Sequence, residues 1–261
     1  MMNLNGKVVI VTGGSGAIGA AMGKAFVENG AKVVLAARDL EKLEAVAAQL
    51  RAAGGEAAAV QVDVTDKPSC AHMVDEAVHL FGRVDCLVNC AGVRGRLEHR
   101  KPLQDFDDAY WNEVIATNMT GVFNASKPAI RAMIAQKIDG CIINVGSATG
   151  LIPLKLQCAH SAANAGVFNF TKAMAMELAP EHVRVNAIAP GESYNDDVNA
   201  LLEKDPAKLK EITSHIPMGR LAKVEELCGI ACFLASDAAS YITGAIIPVD
   251  GAWTSGYSRD F

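Results

Sequence analysis

The chain has 261 residues, 51% of them hydrophobic, and 29 acidic against 24 basic side chains give a net charge of -5 and a pI near 5.7. This length can support one large α/β core. An acidic balance without a long basic stripe argues against a nucleic-acid partner. The N-terminus, MMNLNGKVVIVTGG, lacks a basic region followed by a long apolar stretch and a cleavage site, so no signal peptide is expected. No apolar run approaches the ~20 residues of a membrane span. From there, short β-branched runs alternate with helical patterns. Strands are expected at 7–11, 32–36, 57–62, 84–88, 141–145, 183–188 and 245–249, and helices include 40–52, 67–81 and 223–234. Such strands, without polar alternation, fit a parallel sheet buried on both faces. The alternation predicts right-handed βαβ units, hence a single-domain Rossmann-type doubly wound sheet of about seven strands flanked by helices. A charged helical stretch within 192–216 breaks the rhythm and is the expected place of a mobile lid.

The seven cysteines include no C-x-x-C pair and mostly sit in apolar runs. They read as reduced, packed thiols of a cytoplasmic protein. Cys228 and Cys232 share a helix face, but no further ligand has metal-site spacing with them, so no metal is expected.

The first strand runs into Thr12-Gly13-Gly14-Ser15-Gly16-Ala17-Ile18-Gly19, and then a helix begins. Glycines there let the backbone approach a pyrophosphate, and the helix start offers free N–H groups. The second strand ends Ala36-Ala37-Arg38-Asp39. An acid at its tip would bond the ribose and repel a 2′-phosphate. Ala37 does neither, whereas Arg38 can clamp a phosphate. This favours NADP(H), with NAD(H) still compatible. Asp39, the rival ribose ligand, is expected to cap the helix at Leu40 instead.

At this point the sequence resembles the short-chain dehydrogenase/reductase family over nearly its whole length. Thr12 to Gly19, including Gly13, Ser15, Gly16 and Ile18, looks like the T-G-x-x-x-G-x-G loop with Ala17 for the middle glycine. Asp63-Val64 resembles the adenine-holding pair, and Asn89-Cys90-Ala91-Gly92 resembles N-N-A-G. Asn118 matches the active-site asparagine, Ser147 the catalytic serine, Pro190-Gly191 the turn that passes the nicotinamide, and Val249-Asp250-Gly251 the C-terminal strand end. The resemblance also implies a homotetramer packed through the helices around 118–135 and 157–178. Met119, Val122, Phe123, Met133, Val167, Phe168 and Phe170 offer apolar surface there.

The same resemblance implies a Y-x-x-x-K helix after the serine. The stretch here reads His160-Ser161-Ala162-Ala163-Asn164, and Ser147 and Phe170-Thr171-Lys172 set its register on both sides. His160 thus falls in the tyrosine place and Asn164 in the lysine place. The family often has a threonine near Asn195. Histidine titrates near neutrality and can exchange a proton without a lysine to tune it, and Asn164 could bond the ribose hydroxyls. Imidazole is also shorter than phenol, and ~1 Å of misplacement can cost about a hundredfold in rate. Two functions therefore stay open: an oxidoreductase with a rewritten proton donor, or a cofactor-binding protein that has lost the chemistry.

The loop 93–101 carries Arg94, Arg96, Arg100 and Lys101, which could attract an anionic substrate. The aromatic tail, ending Tyr257-Ser258-Arg259-Asp260-Phe261, resembles that of family members acting on sugar acids. The expected substrate is a small polar, carboxylated molecule bearing a hydroxyl or carbonyl group.

Overall fold

The computed structural model describes residues 2–95, 97–194 and 196–256. Seven strands form one sheet: β1 (Val8–Thr12), β2 (Lys32–Ala37), β3 (Ala57–Gln61), β4 (Cys86–Asn89), β5 (Gly140–Val145), β6 (Val183–Pro190) and β7 (Ile246–Val249). Their order is β3-β2-β1-β4-β5-β6-β7, with every neighbouring pair parallel. The order reverses between β1 and β4, which opens a crevice at the carboxyl ends of the strands.

Both faces of the central sheet are largely buried because successive side chains point to opposite sides and most are apolar. Val9, Val11, Val33 and Leu35 pack with Met22 and Phe26 of α1 (Ala17–Glu28). Leu43 and Leu50 of α2 (Leu40–Ala52) join that face. Ile10, Val34, Leu87 and Ile142 pack the other way, against Met73 of α3 (Lys67–Phe81). A helix α4 (Asp108–Val114) runs through a π-helical turn, Ile115–Thr120, into α5 (Gly121–Ala135), which supplies Ala125 and Met133 to that second face. α6 (Cys158–Leu178) is the longest helix described.

Boundaries follow the expected ones closely, with α2 and α3 matching at both ends. β6 continues to Pro190, so this proline is the last ladder residue rather than part of the turn. Beyond β6 come two short helices, α7 (Asp196–Lys204) and α8 (Lys208–Thr213), within the expected lid. Their base is tied down where Tyr194 N donates to Ala222 O and Ala222 N donates to Glu192 O. After a short turn at Val224–Leu227, α9 (Cys228–Ala235) returns to the first face. Burial pushes the thiols of Cys228 and Cys232 up to about 12 and about 11, which leaves them unreactive core residues.

Candidate active site

The phosphate loop is shaped by close approaches. Gly13 has φ +70°, and a Cβ there would lie 2.8 Å from Cys90 O. A methyl at Gly19 would overlap Gly13 O. Only glycine fits either place. Gly16 caps α1 with no side-chain hydrogen bond, so the first N–H groups of that helix remain for a ligand. Ser15 and Ile18 flank it, half-buried. The Thr12 hydroxyl accepts from Cys90 N (3.1 Å) and Ala91 N (3.2 Å) and donates to Val88 O (3.3 Å). One side chain thus locks the loop to the 89–92 segment, including Gly92, a link no motif announced. This cradle fits a dinucleotide pyrophosphate.

At the tip of β2, Asp39 caps α2 by accepting from Lys42 N at 3.1 Å, as expected, and that bond holds its carboxyl below the usual range. Arg38 instead lines a cavity of about 480 Å³ with Gln61, Asp63, Asp66, Ser69 and His72. The carboxyl of Asp63 is held low by the hydroxyl and amide of Thr65, at 2.7 and 2.9 Å, with Arg38 adding to the effect. Val64 is buried in the core, its carbonyl taken by Asn124 Nδ2 at 2.9 Å. Asn89 is turned inward: its Nδ2 donates to Ser126 Oγ (3.0 Å) and Asn144 Oδ1 (2.9 Å). Any contact of Asn89 with a cofactor is therefore left to its backbone or Oδ1.

Ser147 follows β5 and caps a short turn, Ala148–Gly150, by accepting from Thr149 N at 3.3 Å. α6 lies against that turn at Gly146 and Gly150. A Cβ on Gly150 would meet the backbone of Asn164 at 2.7 Å, and one on Gly146 would meet the Phe168 ring at 2.5 Å. Asn164 is buried, and its Nδ2 donates to His160 O (2.8 Å) and Thr149 Oγ1 (3.3 Å). The amide nitrogen expected to reach ribose hydroxyls is thus spent on stitching α6 to the Ser147 turn. The carboxyl end of β6 brings Pro190 and Gly191 to the same edge, and a Cβ on Gly191 would lie 2.8 Å from Asp250 Cα.

Asn118 lies on the π turn, which sequence reasoning missed. It clasps Val93: its Oδ1 accepts from Val93 N (2.7 Å) and its Nδ2 donates to Val93 O (3.0 Å). His160 Nε2 lies 3.1 Å from that same carbonyl oxygen. His160 is 6% exposed. Burial lowers its pKa and the Arg100 charge adds to this, while the carbonyls of Val93 and Arg94 oppose it. Tyr110, also unmarked by any motif, donates from its hydroxyl to Arg94 O at 2.6 Å and packs its ring on His160 with centroids 5.8 Å apart. Arg96, Asn195 and the tail with Arg259 lie outside the described residues. Among the described residues, no group of three or more His, Cys, Asp and Glu could hold a metal, and no helix is long and apolar enough to cross a membrane.

Residues 7–205 match the short chain dehydrogenase family. The chain belongs to that family. It is 39% identical over 253 residues to the 2,5-dichloro-2,5-cyclohexadiene-1,4-diol dehydrogenase of Sphingobium indicum, covering 97% of this chain and 98% of the relative. It is 41% identical over 251 residues to a cis-4-hydroxycyclohexanecarboxylate dehydrogenase of Sinomonas cyclohexanicum, covering 95% and 97%. Among solved structures, an NAD+-bound xylitol dehydrogenase superposes with a TM-score of 0.89 at 32% identity, covering 95% of this chain and 98% of that one. This short-chain dehydrogenase is an oxidoreductase acting on CH–OH groups.

Proposed function

We propose an NADP(H)-dependent oxidoreductase for a hydroxyl/carbonyl pair on a small polar, carboxylated substrate, with His160 in the place of the family's tyrosine as the proton-transfer group. The observation that carries this reading is the joint hold of Asn118 and His160 on Val93 O, with His160 on the same helix that Asn164 fastens to the Ser147 turn. A titratable ring is thereby fixed among the residues that the family pattern assigns to substrate. Gly13, Ser15, Gly16, Ile18, Gly19, Ala91 and Gly92 would hold the cofactor's phosphates and nearby ribose. Arg38 would hold its 2′-phosphate, Asp63 and Val64 the adenine, and Asn89, Pro190 and Gly191 the nicotinamide end. Bound there, the cofactor supplies or accepts a hydride at the substrate carbon.

Ser147 hydrogen-bonds the substrate oxygen. In oxidation, neutral His160 takes the hydroxyl proton as hydride leaves the carbon. In reduction, imidazolium returns that proton to the carbonyl oxygen. Asn164 takes the lysine's place in the sequence but acts as a positioning residue, holding α6 to the Ser147 turn. Arg94 and Arg100 on the basic loop favour an anionic substrate. The relative named for 4-hydroxycyclohexanecarboxylate supports a ring bearing both a hydroxyl and a carboxylate. Segment 192–216 serves as the lid, and the seven free thiols suit a reducing cytoplasm. Phe123 and Met119, exposed on α5 and the π turn, support the symmetric homotetramer.

The rival reading, a cofactor-binding protein without turnover, is favoured by the use of both His160 Nε2 and Asn164 Nδ2 within the chain. Three proteins compared against hydroxy and keto acids decide between them. His160→Phe should abolish turnover while cofactor binding persists. Turnover unchanged by that substitution ends the proton-transfer role. A parent with little activity that gains it through His160→Tyr with Asn164→Lys identifies a decayed site.

A further inference from the structure

Two successive carbonyls line the ring of His160, and different side chains claim them. Val93 O receives His160 Nε2 (3.1 Å) and Asn118 Nδ2 (3.0 Å), whereas Arg94 O receives the Tyr110 hydroxyl (2.6 Å). A carbonyl oxygen can only accept, so Nε2 carries the proton in the neutral ring and Nδ1 carries the lone pair. Tyr110 has little freedom to leave. Asp107 caps α4 by accepting from Ala109 N and Tyr110 N. Val114, Ala159 and Ala163 surround the buried phenol ring, Phe106 packs against it, and His99 stacks on it at 3.8 Å and 11°.

We propose that Tyr110 is a positioning residue for His160: by bonding Arg94 O and packing on the imidazole it holds the 93–94 backbone against the ring, so that Nε2 bonds Val93 O and Nδ1 is presented as the nitrogen that exchanges a proton with substrate. This rests on the reading of His160 as the proton-transfer group. The consequence is orientation first. A flipped ring would give up the Nε2 bond to Val93 O, and at Arg94 O it would share the acceptor with the Tyr110 hydroxyl.

The second consequence is tuning. Both carbonyls favour the charged ring, and a carbonyl already bonded to a hydroxyl has less to offer an imidazolium. The other groups facing the ring do not compensate. Arg100 and the Arg94 backbone come from the basic loop, Tyr110 from α4 with His99 stacked on its ring, and Asn118, a neutral amide, from the π turn. Among the described groups acting on its titration, none is an acid. Tyr110 thus keeps His160 neutral to a lower pH than a phenylalanine at 110 would.

The test is nitrogen-15 and proton NMR of the imidazole in the full-length protein, with His160 assigned by its absence from His160→Phe. Above its titration the parent should be the Nε2–H tautomer. Tyr110→Phe should raise the His160 midpoint by roughly half a pH unit or more, since freeing one carbonyl adds part of a charge-assisted hydrogen bond. The inflection in the reductive rate should move up equally, while NADPH affinity stays within about twofold, because the Tyr110 hydroxyl and ring act on Arg94 O and His160. A merely structural tyrosine would lower Tm without moving either titration. A parent in the Nδ1–H form overturns the proposal, as does an unmoved midpoint in Tyr110→Phe. Should that variant fail to fold, the parent's tautomer alone decides. Activity surviving His160→Phe would instead defeat the functional reading, and the tautomer and midpoint would still be judged by NMR.

Discussion

On the proposed reading of His160 as the proton-transfer group, a histidine in the tyrosine place changes the pH window of the chemistry. Phenol releases its proton at about pH 10 and imidazole at about 6.5, so the family's tyrosine needs a neighbouring cation and His160 does not. Burial carries His160 lower still, with Arg100 adding to it. Reduction requires the protonated ring, so its rate should already be falling as pH rises through a midpoint below about 6.5. Oxidation requires the neutral ring and should rise over the same interval. A pH profile of both directions in one buffer series checks the sign, and an inflection above pH 8 would contradict it. Cofactor choice is also a residue-scale matter. Asp39 is occupied as a helix cap, and on the proposed reading Arg38 is the residue that would read a 2′-phosphate. Arg38→Ala should cost NADPH at least about tenfold in affinity and NADH little, ~1.4 kcal/mol corresponding to that factor. Asp39→Ala should keep the preference and lower Tm slightly through the lost helix cap. Calorimetry giving the parent equal affinities would remove the NADP(H) reading.

Among the elements, the strand–loop–helix unit at 8–28 is the most constrained. Its glycines are not equivalent. A methyl on Gly19 runs into Gly13 O, a backbone atom that already accepts from Gly16 N, whereas the nearest atom to a Cβ on Gly16 is 3.4 Å away. Gly19→Ala should therefore cost roughly 1–3 kcal/mol by overpacking, with Tm falling by about 2–4 °C per kcal/mol in a chain of this size. Gly16→Ala should leave Tm nearly unchanged and act on cofactor affinity alone, by placing a methyl where phosphate must approach the start of α1. Thermal melts with and without NADP+ separate the two effects. α6 is bound by the same logic: Gly146 and Gly150 let it sit close enough for Asn164 to reach Thr149. Asn164 thereby fastens helix to turn.

For the whole molecule, folding removes part of the apolar surface expected to drive assembly. Val122, Met133, Val167 and Phe168 are buried within the chain itself, against the helices and sheet of their own fold. Met119 and Phe123 remain 37% and 41% exposed, and Met176 on α6 is 81% exposed. Those are the side chains a symmetric partner would cover. Light scattering at micromolar concentration should give a tetramer, or a dimer as the smaller symmetric assembly. Phe123→Arg should shift the parent assembly toward smaller species without loss of secondary structure. A parent that is monomeric at that concentration would rule out an interface on these helices.

Length and short continuous apolar runs alternating with helical patterns by themselves determined the doubly wound parallel sheet, because strands buried on both faces admit few other solutions. Glycine spacing likewise located the phosphate loop, since only a residue without Cβ can pass so close to neighbouring backbone. Local chemistry in the chain was also enough to assign Asp39 to its helix cap, a bond spanning three residues. What lay beyond the sequence depends on contacts between distant segments. The Thr12 link to Cys90 spans 78 residues, the Asn118 clasp on Val93 25 and the His160 approach to Val93 67. No local pattern announces that Tyr110 meets Arg94 or that Asn164 turns its amide to Thr149. Those partners are chosen by how α4 and α6 pack over the carboxyl edge of the sheet, because a buried polar group must find its hydrogen bond wherever the fold supplies one.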